Sequence, residues 1–299
     1  MEWGLDFISE KNFTNHVAAI IEKYGEKLES FDIKRFNKNI IDPIKLIFDK
    51  TVYRSSWEEM VGNEIFRQRD KSNNNDIGYF HQRIFQYIKN CHVPDNGKEG
   101  GWDVIFQSED GIQLPDGDMV HTVYVEMKNK HNTMNSASAG KTYIKMQSQL
   151  LSDDDCACFL VEAIAQQSQN IKWETTVDGK KVSHKRIRRV SLDQFYALVT
   201  GEEDAFYQMC MVLPGMIQKV VDSGEDVKVP HDTVIQELRT LANRADETNE
   251  NLAMSIAVYL LGFNTYNGFS RLVGEAESTD ANFLKRIYTY AKAINKDND

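Results

Sequence analysis

Near the N-terminus, Phe13, Val17, Ile20, Ile21 and Tyr24 recur three and four residues apart, and this spacing predicts an amphipathic helix. A second helical region is predicted to start at Asp42-Pro43, a capping residue followed by proline in the first turn. Its apolar positions include Ile44, Ile47, Trp57, Met60 and Ile65. The polar run SNNND (72–76) breaks the pattern. Asn75 or Asp76 then caps a further predicted helix, with Ile77, Phe80 or His81, Ile84 and Ile88 along one face.

From Val93 the texture changes. PDNGKEGG is turn-forming, WDVIF (102–106) reads as a short strand, and QSEDGIQLPDGDM reads as a long loop leading to the alternating run HTVYVEMK (121–128). The two runs are predicted to form an antiparallel hairpin. SASAGKTYIKMQSQLL then offers a helix with Tyr143, Met146 and Leu150 on one face, and CACFLV (156–161) is an apolar run suited to a buried strand. The helical crossover is long enough for parallel pairing, so the expected fold class is α/β, a mixed sheet core flanked by helices. IKWETTV and KKVSHKRIRRV are two further strand candidates, and beyond Ser191 the pattern is helical to the end. The expected organisation is therefore an N-terminal helical part (1–92), an α/β core (93–191) and a mainly helical C-terminal region (192–299).

Composition adds bounds. With 41% hydrophobic residues in 299, the chain can bury a sizeable core. The first residues lack a basic stretch followed by an apolar one, and no run approaches a membrane span, so a cytoplasmic protein without a membrane partner is expected. Four cysteines without CxxC pairs are expected as free thiols, and the histidines show no metal-ligand spacing. The net charge of −10 argues against a polyanionic partner until it is divided along the chain. Residues 1–127 carry 15 basic and 22 acidic side chains, 128–189 carry 11 and 6, and 190–299 carry 9 and 17. The middle is locally basic, as a site for a polyanion would be.

Candidate chemistry lies in that middle segment. Residues two apart on a strand share a face, so Glu126 and Lys128 point the same way, and the hairpin brings Asp103 beside them. Two carboxylates and an ammonium suit phosphodiester hydrolysis, in which oxygen ligands hold a hard cation such as Mg2+ and a cationic side chain offsets charge on the phosphate. Glu-x-Lys alone is usually a surface pair worth little, and the predicted context carries the weight.

Asp103, a gap of 22 residues and then Glu126-x-Lys128 resembles the PD-(D/E)XK nuclease superfamily, with Trp102 where proline is usual. The segments DIGYFHQRIFQYI, GKEGGWDVIF and VYVEMKNKHNTMNSASAGKTYIKMQ together resemble type II restriction endonucleases that cut GGNCC-type sites, over most of residues 60–220. This resemblance implies cleavage of double-stranded DNA at a short palindrome by a Mg2+-dependent homodimer. By position, Asp103, Glu126 and the Met127 main-chain carbonyl become metal ligands and Lys128 the catalytic lysine, with Glu64 as an auxiliary acid.

Guanine is most often read by arginine or lysine. Arg186, Arg188 and Arg189 in HKRIRR are expected either to contact DNA or only to solvate a sheet edge. Lys130, Asn132, Asn135 and Lys141 follow the motif closely enough to reach the DNA, although the asparagines can equally cap the next helix. The rival readings are a repair or structure-specific nuclease and a non-catalytic DNA-binding protein.

Overall fold

The computed structural model describes residues 3–26, 30–38, 41–131, 133–224, 231–243, 254, 257 and 258. The chain divides into one unit drawn from residues 1–24 and 74–226 and a second drawn from 25–73 and 227–299. Among the described residues four α-helices precede the sheet: α1 (Glu10–Glu26), α2 (Ile33–Lys38), α3 (Pro43–Val52) and α4 (Trp57–Arg83). The cap at Asp42 forms as expected, its Oδ1 accepting from the backbone N–H groups of Ile44 (3.1 Å) and Lys45 (3.2 Å). The predicted helical region from 43 to 65 is in fact two helices. A reciprocal cap starts the second: Ser56 Oγ accepts from Glu59 N (3.1 Å) and the Glu59 carboxylate accepts from Ser56 N (2.8 Å).

The expected break at 72–76 does not occur, because α4 runs unbroken through SNNND. Asparagine in a helix costs only a fraction of a kcal/mol, about 0.7 at most, and tertiary contacts offset it. Asp76 is buried, and the Asn74 carbonyl accepts from Asn129 Nδ2 at 2.9 Å. Gly78 permits this approach, since a Cβ there would lie 3.0 Å from Asn129 Oδ1.

The sheet has the order β1-β2-β3-β4-β6-β5, with β1 (Cys91–His92), β2 (Val104–Gln113), β3 (Met119–Lys130), β4 (Cys156–Ile164), β5 (Asn170–Val177) and β6 (Lys180–Ser191). The pairs β2/β3 and β5/β6 are antiparallel, whereas β3/β4 and β4/β6 are parallel. Helix α5 (Ser136–Ser152) makes the crossover between β3 and β4. The expected long loop of the first hairpin is mostly strand. A register shift between Gln107 and Ile112 absorbs Gly111 (φ 81°), β2 continues to Gln113, and only Leu114–Asp118 turns.

Central β4 is buried on both faces, which is why CACFLV reads as a continuous apolar run. On one face Val123, Val125, Met127, Phe159 and Val161 pack with Phe85, Phe195 and Tyr196. On the other, Tyr143 and Met146 of α5 pack with Ile105, Cys158, Leu160, Trp173 and Ile187. Cys91, Cys156, Cys158 and Cys210 are free thiols. Helices α6 (Leu192–Thr200), α7 (Ala205–Ser223) and α8 (Val234–Asn243) make the described part of the C-terminal region mainly helical. The second unit has its own core, in which Phe31, Phe36, Trp57, Met60, Val234 and Leu238 pack together. Among the described residues no helix is long and apolar enough to cross a membrane.

Candidate active site

The first hairpin places Val104 opposite Val125, so Asp103 arrives beside Glu126 just before β2 begins. Two contacts fix it there: Asp103 N donates to Val125 O (2.9 Å), and Asp103 Oδ2 accepts from Met127 N (2.6 Å). Strand alternation turns Met127 into the core and leaves Glu126 and Lys128 on the face covered by α5. Lys128 Nζ donates to Glu126 Oε1 at 2.7 Å.

Lys145 from α5 takes the other oxygen. Its Nζ lies 2.8 Å from Glu126 Oε2 and 2.7 Å from the Gly101 carbonyl oxygen. The ammonium also sits 4.0 Å from the centroid of the Trp102 ring, whose Nε1 donates to Gln149 Oε1 at 3.2 Å. Gly100 and Gly101 both have positive φ (74° and 67°), and a Cβ on Gly100 would lie 3.2 Å from Trp102 Nε1. The glycine pair therefore lets the chain turn tightly against the indole.

Environment sets the two carboxylates apart. Burial pushes the Asp103 pKa up to about 6, the charge of Glu126 adds to this, and the Met127 N–H opposes it. Burial also works against charge on Glu126, but Lys128 and Lys145 outweigh it and hold its pKa below the ordinary value. A polar cavity of about 150 Å³, lined in part by Gln82, Arg83, Gln86 and Trp102, opens beside Asp103.

The donor set fits a magnesium ion. That ion prefers oxygen ligands and is commonly held by one or two carboxylates with substrate phosphate and water completing its shell. Asp103 lies beside Glu126 at the edge of a polar cavity, and burial is the chief cause that disfavours its anion, which a bound cation would offset. Among the described residues no three His, Cys, Asp or Glu side chains form a metal-holding group, so protein carboxylates alone do not complete a shell.

Beyond Lys128, its strand partner Glu162 is buried between His131 and Arg189. His131 Nδ1 lies 3.0 Å from Glu162 Oε2, while Arg189 Nε donates to Glu162 Oε1 (2.9 Å) and its Nη2 to His131 O (3.0 Å). This knot fixes the backbone where β3 ends.

The other sequence candidates fall in different places. Lys130 and Lys141 are exposed, and Asn132 lies outside the described residues. Asn135 caps α5, its Oδ1 accepting from Ser138 N at 2.8 Å. Glu64 belongs to the second unit, where it is buried and accepts from Arg67 Nε (2.7 Å) and Gln68 Nε2 (3.2 Å). Arg188 is only 2% exposed and is held by Asp116 and Asn170. Arg186 donates to Asp118 Oδ2 at 3.1 Å. The structure thus gathers Asp103, Glu126, Met127 and Lys128, and gives all three arginines internal acceptors. Sequence reasoning missed Lys145, Glu162 and His131. The one available signal for Lys145 was its place between the buried Tyr143 and Met146.

The protein-family model described as Eco47II restriction endonuclease matches residues 5–222. Type II restriction enzyme Sau96I of Staphylococcus aureus is 30% identical over 218 residues, covering 70% of this chain and 78% of that protein. Type II restriction enzyme Eco47II of Escherichia coli is 28% identical over 228 residues, 73% of this chain and 88% of that protein.

Proposed function

This chain belongs to the Eco47II restriction endonuclease family, and from that premise we propose that it is a Mg2+-dependent type II restriction endonuclease. It hydrolyses both strands of double-stranded DNA at a short palindrome, GGNCC-like, and acts in the cytoplasm as a homodimer whose twofold axis matches that of the site. The observation that carries the reading is the meeting of Asp103, Glu126 and Lys128 at one end of the β2/β3 hairpin, with Glu126 held between two ammonium groups.

Asp103, Glu126 and the Met127 carbonyl would hold the magnesium ion. When bound, it would supply positive charge against the oxygens of the scissile phosphate. Lys128 orients the attacking water and stabilises the negative charge that grows as the water loses its proton to solvent. Attack in line with the leaving 3′ oxygen yields a 5′ phosphate and a 3′ hydroxyl. The Met127 N–H anchors Asp103, so its carboxylate is held in place and would meet the ion without reorganising. Exposed Lys130 and Lys141 contact backbone phosphates.

Incubation of the purified protein with plasmid DNA and Mg2+ tests this. Discrete fragments are expected, and Glu126→Gln and Lys128→Ala should each lower kcat by about 10³-fold or more while keeping duplex affinity. A smear, or cutting only at junctions, excludes restriction. Full cleavage by either variant excludes the site assignment.

A further inference from the structure

Glu126 offers two oxygens, and in the free protein each holds an ammonium: Oε1 that of Lys128 and Oε2 that of Lys145. A divalent ion held by Asp103 and Glu126 would compete with these ammonium groups for the Glu126 oxygens. The two lysines are held differently. Lys128 has its contact with Glu126, whereas Lys145 is surrounded by three groups that attract cations: the Glu126 carboxylate, the Gly101 carbonyl and the face of Trp102. Its stem is fixed as well, since Tyr143 and Met146 bury the adjacent face of α5 and Gln149 pins the indole. The balance favours release of Lys128 towards the substrate and retention of Lys145.

We infer that Lys145 is a built-in second cation: its ammonium, fixed at Glu126 Oε2, supplies there the positive charge that a second divalent ion would otherwise bring, so each chain takes one divalent ion. This rests on the reading of Asp103 and Glu126 as ligands of that ion. Two further features agree with it. Among the described residues no third carboxylate, histidine or cysteine joins the pair to serve a second ion. Trp102, where the superfamily usually carries proline, presents its ring to the ammonium 4.0 Å away. Lys145 is thus a positioning residue. It holds Oε2, so Oε1 is the oxygen that turns to the ion once Lys128 leaves.

The test is calorimetric titration of the full-length protein with MnCl2 in the absence of DNA, with circular dichroism to verify folding of each variant. The wild type is expected to bind one Mn2+ per chain, and Glu126→Gln to lose it. Lys145→Met, which removes a unit charge from the neighbourhood of the ion, is expected to bind Mn2+ about tenfold more tightly, and Lys145→Arg to match the wild type. In cleavage assays Lys145→Met should lower kcat at saturating Mg2+ by about tenfold or more while Lys145→Arg keeps it, because among the described residues no further ligands are there for a second ion to replace the ammonium. Two Mn2+ per wild-type chain, or a Lys145→Met variant with wild-type Mn2+ affinity or wild-type kcat, would overturn the inference. If Glu126→Gln leaves Mn2+ binding intact, the underlying ligand assignment fails instead.

Discussion

Substituting Arg188 by methionine separates a folding role from a DNA-reading one. The methionine keeps an unbranched side chain but removes the donors. In the folded protein Arg188 Nε donates to Asn170 Oδ1 (2.6 Å), Nη2 to Asn170 O (2.6 Å), and Nη1 to Asp116 Oδ2 (2.9 Å) and Lys185 O (3.2 Å). Removing one partner of a fully buried ion pair costs about 3–5 kcal/mol, because the other charge is left without water. Here Asp116 is 43% exposed, so solvent takes over that carboxylate. The remaining cost comes from the Asn170 and Lys185 carbonyls and from imperfect packing, and relief from burying the guanidinium offsets part of it. A net loss of about 2–3 kcal/mol follows, which lowers the melting temperature of a unit this size by about 5–10 °C. Thermal unfolding followed by tryptophan fluorescence measures it, with buried Trp173 on β5 as a reporter. Duplex affinity at a permissive temperature should stay within about twofold. Unchanged stability together with a large loss of DNA affinity would instead restore Arg188 as a DNA contact.

Asp103→Asn should abolish cleavage yet stabilise the metal-free protein by about 1–2 kcal/mol at pH 7. Asn retains an acceptor for Met127 N and removes a carboxylate whose pKa burial has pushed up to about 6. Chemical denaturation at pH 7 checks it, and a destabilised variant would contradict the account. His16 titrates in the opposite sense. Burial holds its pKa at about 4, against 6.5 in the unfolded chain, so its contribution of about 3 kcal/mol is complete above pH 6.5 and is lost as pH falls towards 4. His16→Gln should flatten that slope in denaturation curves taken between pH 4 and 7.

The hairpin, the crossover helix and the buried parallel strand were all legible, because alternation in VYVEMK and the unbroken apolar run CACFLV report directly on one-sided and two-sided burial. From them the meeting of Asp103 with Glu126 and Lys128 followed by geometry. Local polarity misled at 72–76, where the anchors that keep α4 helical come from Asn129, far along the chain. Gly111 looked like a loop residue although it marks a bulge within a strand. The place of Lys145 between Tyr143 and Met146 did not by itself reveal its role, since only the docking of α5 decides which lysine reaches Glu126. The arginines of β6 advertised their charge, but Asp116 and Asp118, which hold Arg188 and Arg186, are remote in sequence.

Those internal pairs change what the basic middle segment can offer to DNA. Arg186, Arg188 and Arg189 already hold carboxylates, and Lys185 Nζ donates to Asp118 Oδ1 at 2.7 Å. A group that has exchanged its counterion for a protein carboxylate releases no bound cation from a duplex. The logarithm of affinity should therefore fall only gently with the logarithm of salt concentration, with a slope that counts the exposed lysines and not the eleven basic residues of the segment.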